Sequence, residues 1–347
     1  MKRGKLFSAV LTSAFVVSAL VGLSACGEPP HTHEFSEHTF YCVKTEEQQD
    51  KVYSFKVCDC GENDTETLVE NAIIVDETTA DSIVRGHLYD LTNKVVVFKK
   101  GTYSSSIAGG TKNYHNVIFA GEYTGENKEV VFEAGSYLYT QGSYSIDGLE
   151  YNNISFKNRL FLGSQTNDIK NVDINNCSFV NEDADKGDLP AILIAPKVDK
   201  HVTSENIVVK NCSIDGFYQG ILIYQNKNLT IENNIIKNTI HNAVGIQLNS
   251  GYTNKITGTI SISNNEILNI IGPSQTGERA IRFGQLENAT ITVANNKFLN
   301  AVDGDSEILK ASGLVKSTIS FTNNTNAGEK IPDKEINAQS PSFAIVV

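Results

Sequence analysis

The chain has 347 residues, with 40 acidic and 29 basic side chains and a net charge of −11. No basic stripe interrupts that acidic balance, which excludes a nucleic-acid partner. Tryptophan is absent and methionine occurs only as Met1, so thirteen Tyr and sixteen Phe supply the large side chains. Residues 1–26 come first. Lys2, Arg3 and Lys5 form a positive start, and Leu6 to Leu23 is an apolar run near the lower limit for crossing a bilayer.

That run ends in Leu23-Ser24-Ala25-Cys26, which resembles the bacterial lipobox. The resemblance implies that Cys26 is diacylated and becomes the mature N-terminus. The protein is then exported and lipid-anchored to the bacterial cell membrane, facing outward, with the acyl chains as its one membrane contact. The residues alone leave open a plain secretory peptide cleaved near Ala25, or an uncleaved helix. Gly27-Glu28-Pro29-Pro30 begins a short tether.

Residues 27–64 hold this tether and a small module with His31, His33, His38, Cys42, Cys58, Cys60 and Gly61. Thr39–Lys44 and Lys51–Val57 alternate like the strands of a hairpin, with Thr45–Asp50 as the turn. The His-x-His start and Cys-x-Cys-Gly finish resemble small His/Cys modules in surface proteins of Gram-positive bacteria. Thiolate and imidazole suit tetrahedral zinc, with His31, His33, Cys58 and Cys60 as ligands. A module this short has too little core to fold unaided, so a metal or a disulfide among Cys42, Cys58 and Cys60 answers the same need. Zinc, disulfide and free thiols all stay open.

Residues 65–93 lead in and cap the next unit. Ile83, Val84, Leu88 and Leu91 fall at helical spacing over Ala80–Leu91, and an amphipathic helix there would close the open end of a core. Strand-like pieces follow at Val95–Tyr103, Asn116–Ala120, Glu129–Glu133 and Ser136–Thr140; the register of residues 104–150 is not assignable from sequence. From Ile154 a pattern recurs: apolar, any, apolar, any, Asn, Asn. Its copies start at Ile154, Val172, Ile207, Leu229, Ile260, Ile291 and Ile319, between 18 and 35 residues apart. A self-similar core with variable inserts is a solenoid. The alternation is a half-buried strand, and Asn tolerates the left-handed bend that breaks it. Stacked rungs would align Asn176, Asn211, Asn233, Asn264, Asn295 and Asn323 as a hydrogen-bonded ladder. Cys177 and Cys212 share one repeat position on successive rungs, which suits either a disulfide or two buried thiols filling an apolar column.

This repeat, with its Asn-bearing turn, resembles the pectate-lyase-like superfamily. The resemblance implies an all-β, right-handed parallel β-helix over residues 94–324, with residues 325–347 as a C-terminal cover. A second strand precedes each Asn motif: Ala191–Lys197, Gly220–Asn226, Ala243–Asn249, Ala280–Gln285 and Ile308–Gly313. Aligned by their small or apolar first residues, they put Leu193, Leu222, Gly245, Arg282 and Lys310 in one outward column. Ala195, Tyr224, Gln247, Gly284 and Ser312 form the second. In the resembled superfamily this face often forms the substrate groove, walled by the loops before its strands. An extracellular polysaccharide met by a monomer is therefore the expected partner. Tyr224, Asn226, Gln247, Asn249 and Lys197 are its candidate contacts.

Two chemistries are candidates. A polysaccharide lyase neutralises the uronate carboxylate with a cation and removes a proton with a base; Arg282 and Lys310 on neighbouring rungs suit those roles. The acidic loop around Asp183 and Asp185 is a candidate Ca²⁺ site, weighed against an ordinary solvated turn. A hydrolase needs two flanking carboxylates, and the assigned outward positions hold none. The paired-Asp and Gly-His-Gly motifs of polygalacturonases have no match here. The alternative class is a non-catalytic surface adhesin or spacer.

Overall fold

The computed structural model describes residues 33–58, 60–81, 91–109, 112–125, 128–182, 189–197, 201–240, 244–251, 254–271, 279–299, 307–337 and 342–346. Cys26, His31, Asp183 and Asp185 lie outside them, as does most of the cap expected over residues 80–91.

The chain coils through three parallel sheets, A, B and C, in that order on each turn. Sheet A includes Ser136–Thr140, Leu160–Ser164, Pro190–Pro196, Gln219–Tyr224 and Val244–Asn249. Its last rungs are the first parts of Arg279–Ala294 and Glu307–Val315. Sheet B runs from Ala72–Val75 and Val95–Phe98 through Ile169–Asn175 and Asn226–Glu232 to Thr318–Thr322. Sheet C includes Val130–Phe132, Ile154–Phe156, Ser178–Val180 and Glu266–Ile271. Strands pair with their counterparts one turn on, as Val172 with Ile207 and Ile207 with Leu229. The architecture is a parallel β-helix, and its right-handed sense is the one parallel crossovers adopt.

Alternation puts one apolar column of each sheet inside. Phe132, Phe156 and Phe179 stack in sheet C at 5.9 and 5.2 Å between centroids, and Ile214, Ile236, Ile267 and Phe298 continue the column, all buried. Each such side chain contributes about 1.5–3 kcal/mol by leaving water.

The bend between sheets B and C corrects the expected ladder by one residue. Asn153, Asn176, Asn211, Asn233, Asn264, Asn295 and Asn323 share this position with φ between 51° and 57°, the left-handed conformation. Asn153 is buried, with Nδ2 on Gly121 O at 3.2 Å, but Asn264 bonds nearer the surface, its Nδ2 on Glu232 Oε1 at 3.2 Å. One residue on, the side chain points inward. Asn234, Asn265, Asn296 and Asn324 are therefore the fully buried ladder, linked amide to amide at 2.9, 3.0 and 3.0 Å. Each also donates to a carbonyl of the previous turn, and each oxygen from Asn265 onward accepts the backbone N–H of the previous ladder Asn. Cys177 and Cys212 hold the same column in earlier turns as free, buried thiols; they form no disulfide with one another.

The N-terminal hairpin also differs from expectation. Its strands are Phe40–Glu46 and Gln49–Phe55, with Glu47 and Gln48 at φ 50° and 66°. Two residues at positive φ make a tight turn whose twist matches the strands, so pairing extends further than a six-residue loop allows. The module is not left to its own small core. Tyr41 and Val52 pack on Val95, Val97 and Ala120, the outward side chains of sheet B. Val95–Phe98 is buried on both faces for that reason, and it reads as an unbroken apolar run. Backbone and side chains fasten the contact: Tyr123 N to Tyr41 O at 2.7 Å, and Asn152 Nδ2 to Thr39 O at 2.9 Å. At the other end, Phe343–Val346 pairs antiparallel with the last rung of sheet A, placing Ala344 beside Lys310. The pairing covers an edge that would otherwise recruit strands.

Candidate functional site

The outward face of sheet A gathers most of the residues singled out in the sequence. Pairing sets one column as Tyr137, Phe161, Leu193, Leu222, Gln247, Arg282 and Lys310. In the second, Tyr139 faces Gly163, which faces Ala195, and Tyr224 faces Asn249. Gln247 and Asn249 thus each sit one column position away from the alignment read in sequence, a slip of two residues. Gly245, not Ala243, takes the small position. A Cβ on Gly220 would meet Gly245 O at 2.4 Å and Ile236 Cγ2 at 2.7 Å, and one on Gly245 would meet Ile267 Cγ2 at 2.8 Å. A two-residue slip preserves the in–out pattern, so alternation cannot detect it.

The candidate contacts then separate. Tyr224 and Asn249 are part-exposed neighbours. Gln247 is nearly buried; it accepts from Gln219 Nε2 and donates to Asn249 Oδ1, both at 2.8 Å, and so holds Asn249 in place. Asn226 is not on this face. Gln225 turns the corner at φ 50°, which resets the alternation, and Asn226 opens the next sheet B strand with its side chain fully buried. Lys197 lies just past Pro190–Pro196, its backbone N–H on Ser164 O at 2.8 Å.

Arg282 and Lys310 are directly paired neighbours. The last rung starts one residue before the Ile308 expected from sequence, and that residue, Glu307, is a carboxylate. Glu307 accepts from Arg279 Nε at 2.6 Å and from Lys310 Nζ at 3.0 Å. Burial works against the Glu307 carboxylate, but hydrogen bonds and charge from Lys310 and Arg279 outweigh it and hold its pKa below the usual range. Burial, then the nearby Arg279, lowers the Arg282 guanidinium. Lys310 is therefore tied to an acid rather than pressed against a lone cation.

The aromatic half of the face was missed in sequence. Tyr137, Tyr139 and Phe161 are part-exposed. Tyr139 and Phe161 lie 13° from parallel with centroids 6.2 Å apart. Both rings fill the space over Gly163, where a Cβ would meet Tyr139 Cδ2 at 2.4 Å and Phe161 Cζ at 2.7 Å. The signal was the outward Tyr pair in Ser136–Thr140, unreadable without a register.

A second cluster lies in the N-terminal module. His33 Nδ1 is 3.2 Å from Cys60 Sγ and 3.7 Å from Cys58 Sγ, and the three ligand atoms lie within 4.8 Å of one another. Glu62 N donates to Cys58 Sγ at 3.3 Å, and its carboxylate is 3.4 Å from His33 Nε2. A carboxylate on the remote imidazole nitrogen is how metal-binding histidines are oriented. The donors fit zinc. The same two sulfurs form the Cys58–Cys60 disulfide, leaving Cys42 as a thiol raised by burial. A metal and the disulfide would exclude one another at this pair.

Fold and face together define a parallel β-helix protein whose sheet A shows part-exposed rings toward one end and part-exposed cations toward the other, with Leu222 and Gln247 buried between them. No protein-family model matches the chain, and no curated protein matches it. Among solved structures it is similar to the hyperthermoactive exopolygalacturonase from Thermotoga maritima, with a TM-score of 0.31 and 11% identity. That alignment covers 72% of this chain and 56% of the exopolygalacturonase.

Proposed function

We propose that the chain is a surface-anchored β-helix protein that binds a linear extracellular polysaccharide along sheet A. The supporting observation is the pair of outward columns from Tyr137 to Lys310, in which rings, amides and cations recur at strand spacing. Sugar units of one chain meet such a surface repeatedly. Retention of the full chain on a panel of immobilised neutral and uronate-containing polysaccharides, with and without Ca²⁺, tests this. Binding that Tyr224→Ala with Asn249→Ala weakens agrees with it; no retention by any polymer refutes it.

The same incubation reports cleavage. Elimination on this face would use Arg282 on the uronate carboxylate and Lys310 as base, once released from Glu307, and its unsaturated products absorb in the ultraviolet. The Glu307 ion pairs favour binding without cleavage, the role of an adhesin or spacer. A Ca²⁺ requirement would bring the Asp183 and Asp185 loop into the reading.

Two further parts rest on sequence and cluster geometry. The lipobox motivates an outward-facing lipid anchor on Cys26, and Cys26→Ser should abolish lipid labelling; equal labelling overturns it. His33, Cys58 and Cys60, with His31 as fourth ligand, bind one zinc when the cysteines are reduced. Reduced protein should take up about one equivalent of Zn²⁺, lost in Cys60→Ser. Uptake unchanged by that substitution contradicts the assignment.

A further inference from the structure

Every cation near Glu307 has a carboxylate close by, but one cation on sheet A does not. Arg159 enters the rung Leu160–Ser164 with its guanidinium 5.2 Å from the Tyr137 ring centre and 5.5 Å from that of Phe161. Among the described residues no carboxylate lies within ion-pair distance of it, and its Nε is buried without a hydrogen-bond partner. The part-exposed guanidinium lies over two rings with its Nε buried, so an anion brought to it sits beside an apolar surface that strengthens the attraction relative to open water. Asn158 Oδ1 accepts from Tyr137 Oη at 3.3 Å and from Arg159 N at 2.7 Å, fixing both groups at the edge of the ring platform. Gly163 leaves that platform open, since any side chain there would displace Tyr139 and Phe161.

We propose that Tyr139 and Phe161 receive the C–H face of a pyranose ring while Arg159 pairs with its carboxylate, so that this end of sheet A is a subsite for a uronic-acid unit. An aromatic face suits the apolar side of a sugar ring, and the planar guanidinium suits a carboxylate in bidentate contact. The proposal rests on the polysaccharide reading of sheet A. It assigns acid recognition to Arg159 and leaves Arg279 and Lys310 to Glu307.

The test uses the full chain and one uronate polymer in two forms, native and carboxyl-reduced. Wild type should bind the native form about ten to a hundred times more tightly, the range of a charge-assisted hydrogen-bonded contact. Arg159→Gln should erase that preference and keep the residual binding to the reduced form. Phe161→Ala should weaken both forms several-fold, and unchanged thermal unfolding of each variant would show that the fold is intact. A preference that survives Arg159→Gln but is lost in Arg282→Gln overturns the subsite and leaves the polysaccharide reading standing. If wild type binds neither form, the polysaccharide reading fails and the subsite with it. Binding of a protein ligand alone overturns both.

Discussion

At the scale of single residues, neighbouring asparagines do different work. Asn264 supplies a left-handed backbone; the Asn265 side chain makes four hydrogen bonds inside the coil. Asn265→Leu removes the acceptor of the buried Asn234 backbone N–H, one of the two acceptors of the Asn234 side-chain amide, and the Nδ2 donor to the Ile231 carbonyl. It should cost at least about 3 kcal/mol in denaturant unfolding, since each orphaned group carries its own desolvation penalty. Asn264→Gly, which keeps the bend, should stay within about 1 kcal/mol of wild type. Equal costs would contradict the division. Sequence showed that an Asn pair marked the turn. It did not show which member faced in, because alternation stops at a left-handed residue and restarts with its phase reset. The same cause misplaced Asn226 beyond Gln225.

At the scale of elements, the docked hairpin explains why a module with little core is ordered. His38 sits in that contact, its Nδ1 accepting from Asn175 Nδ2 at 2.7 Å and its Nε2 buried without a partner. Burial first, then the charge of Lys210, holds its pKa down at about 3 from an ordinary 6.5, with Lys128 adding to the effect. The unfolded chain therefore binds the extra proton between these values, and stability falls as pH drops below 6.5. Nearby Glu150 and Asp173 are raised by burial, so their own titration opposes this at lower pH. Between pH 7.5 and 5.5 the hairpin contact should lose about 1.4 kcal/mol, read by proteolytic release of the module. His38→Gln should flatten that dependence; an unchanged slope would mean another group titrates. The hairpin was legible in sequence. Its docking surface was not, because Val95–Phe98 reads equally as any strand buried on both faces.

At the scale of the whole molecule, the repeats from Ile154 onward made the β-helix readable, since stacked rungs impose the same inside pattern on each copy. The face was read less well. Outward side chains carry no packing constraint, so the two-residue slip at Gly245, the carboxylate of Glu307 and the ring pair over Gly163 needed coordinates. Sheet A is the proposed binding surface. Hydrogen–deuterium exchange of the full chain, with and without a saturating uronate oligosaccharide, tests that most directly. Slowed exchange should map to Ser136–Thr140, Leu160–Ser164, Gln219–Tyr224 and Val244–Asn249. Slowing confined to sheets B and C, or to the hairpin, would contradict it.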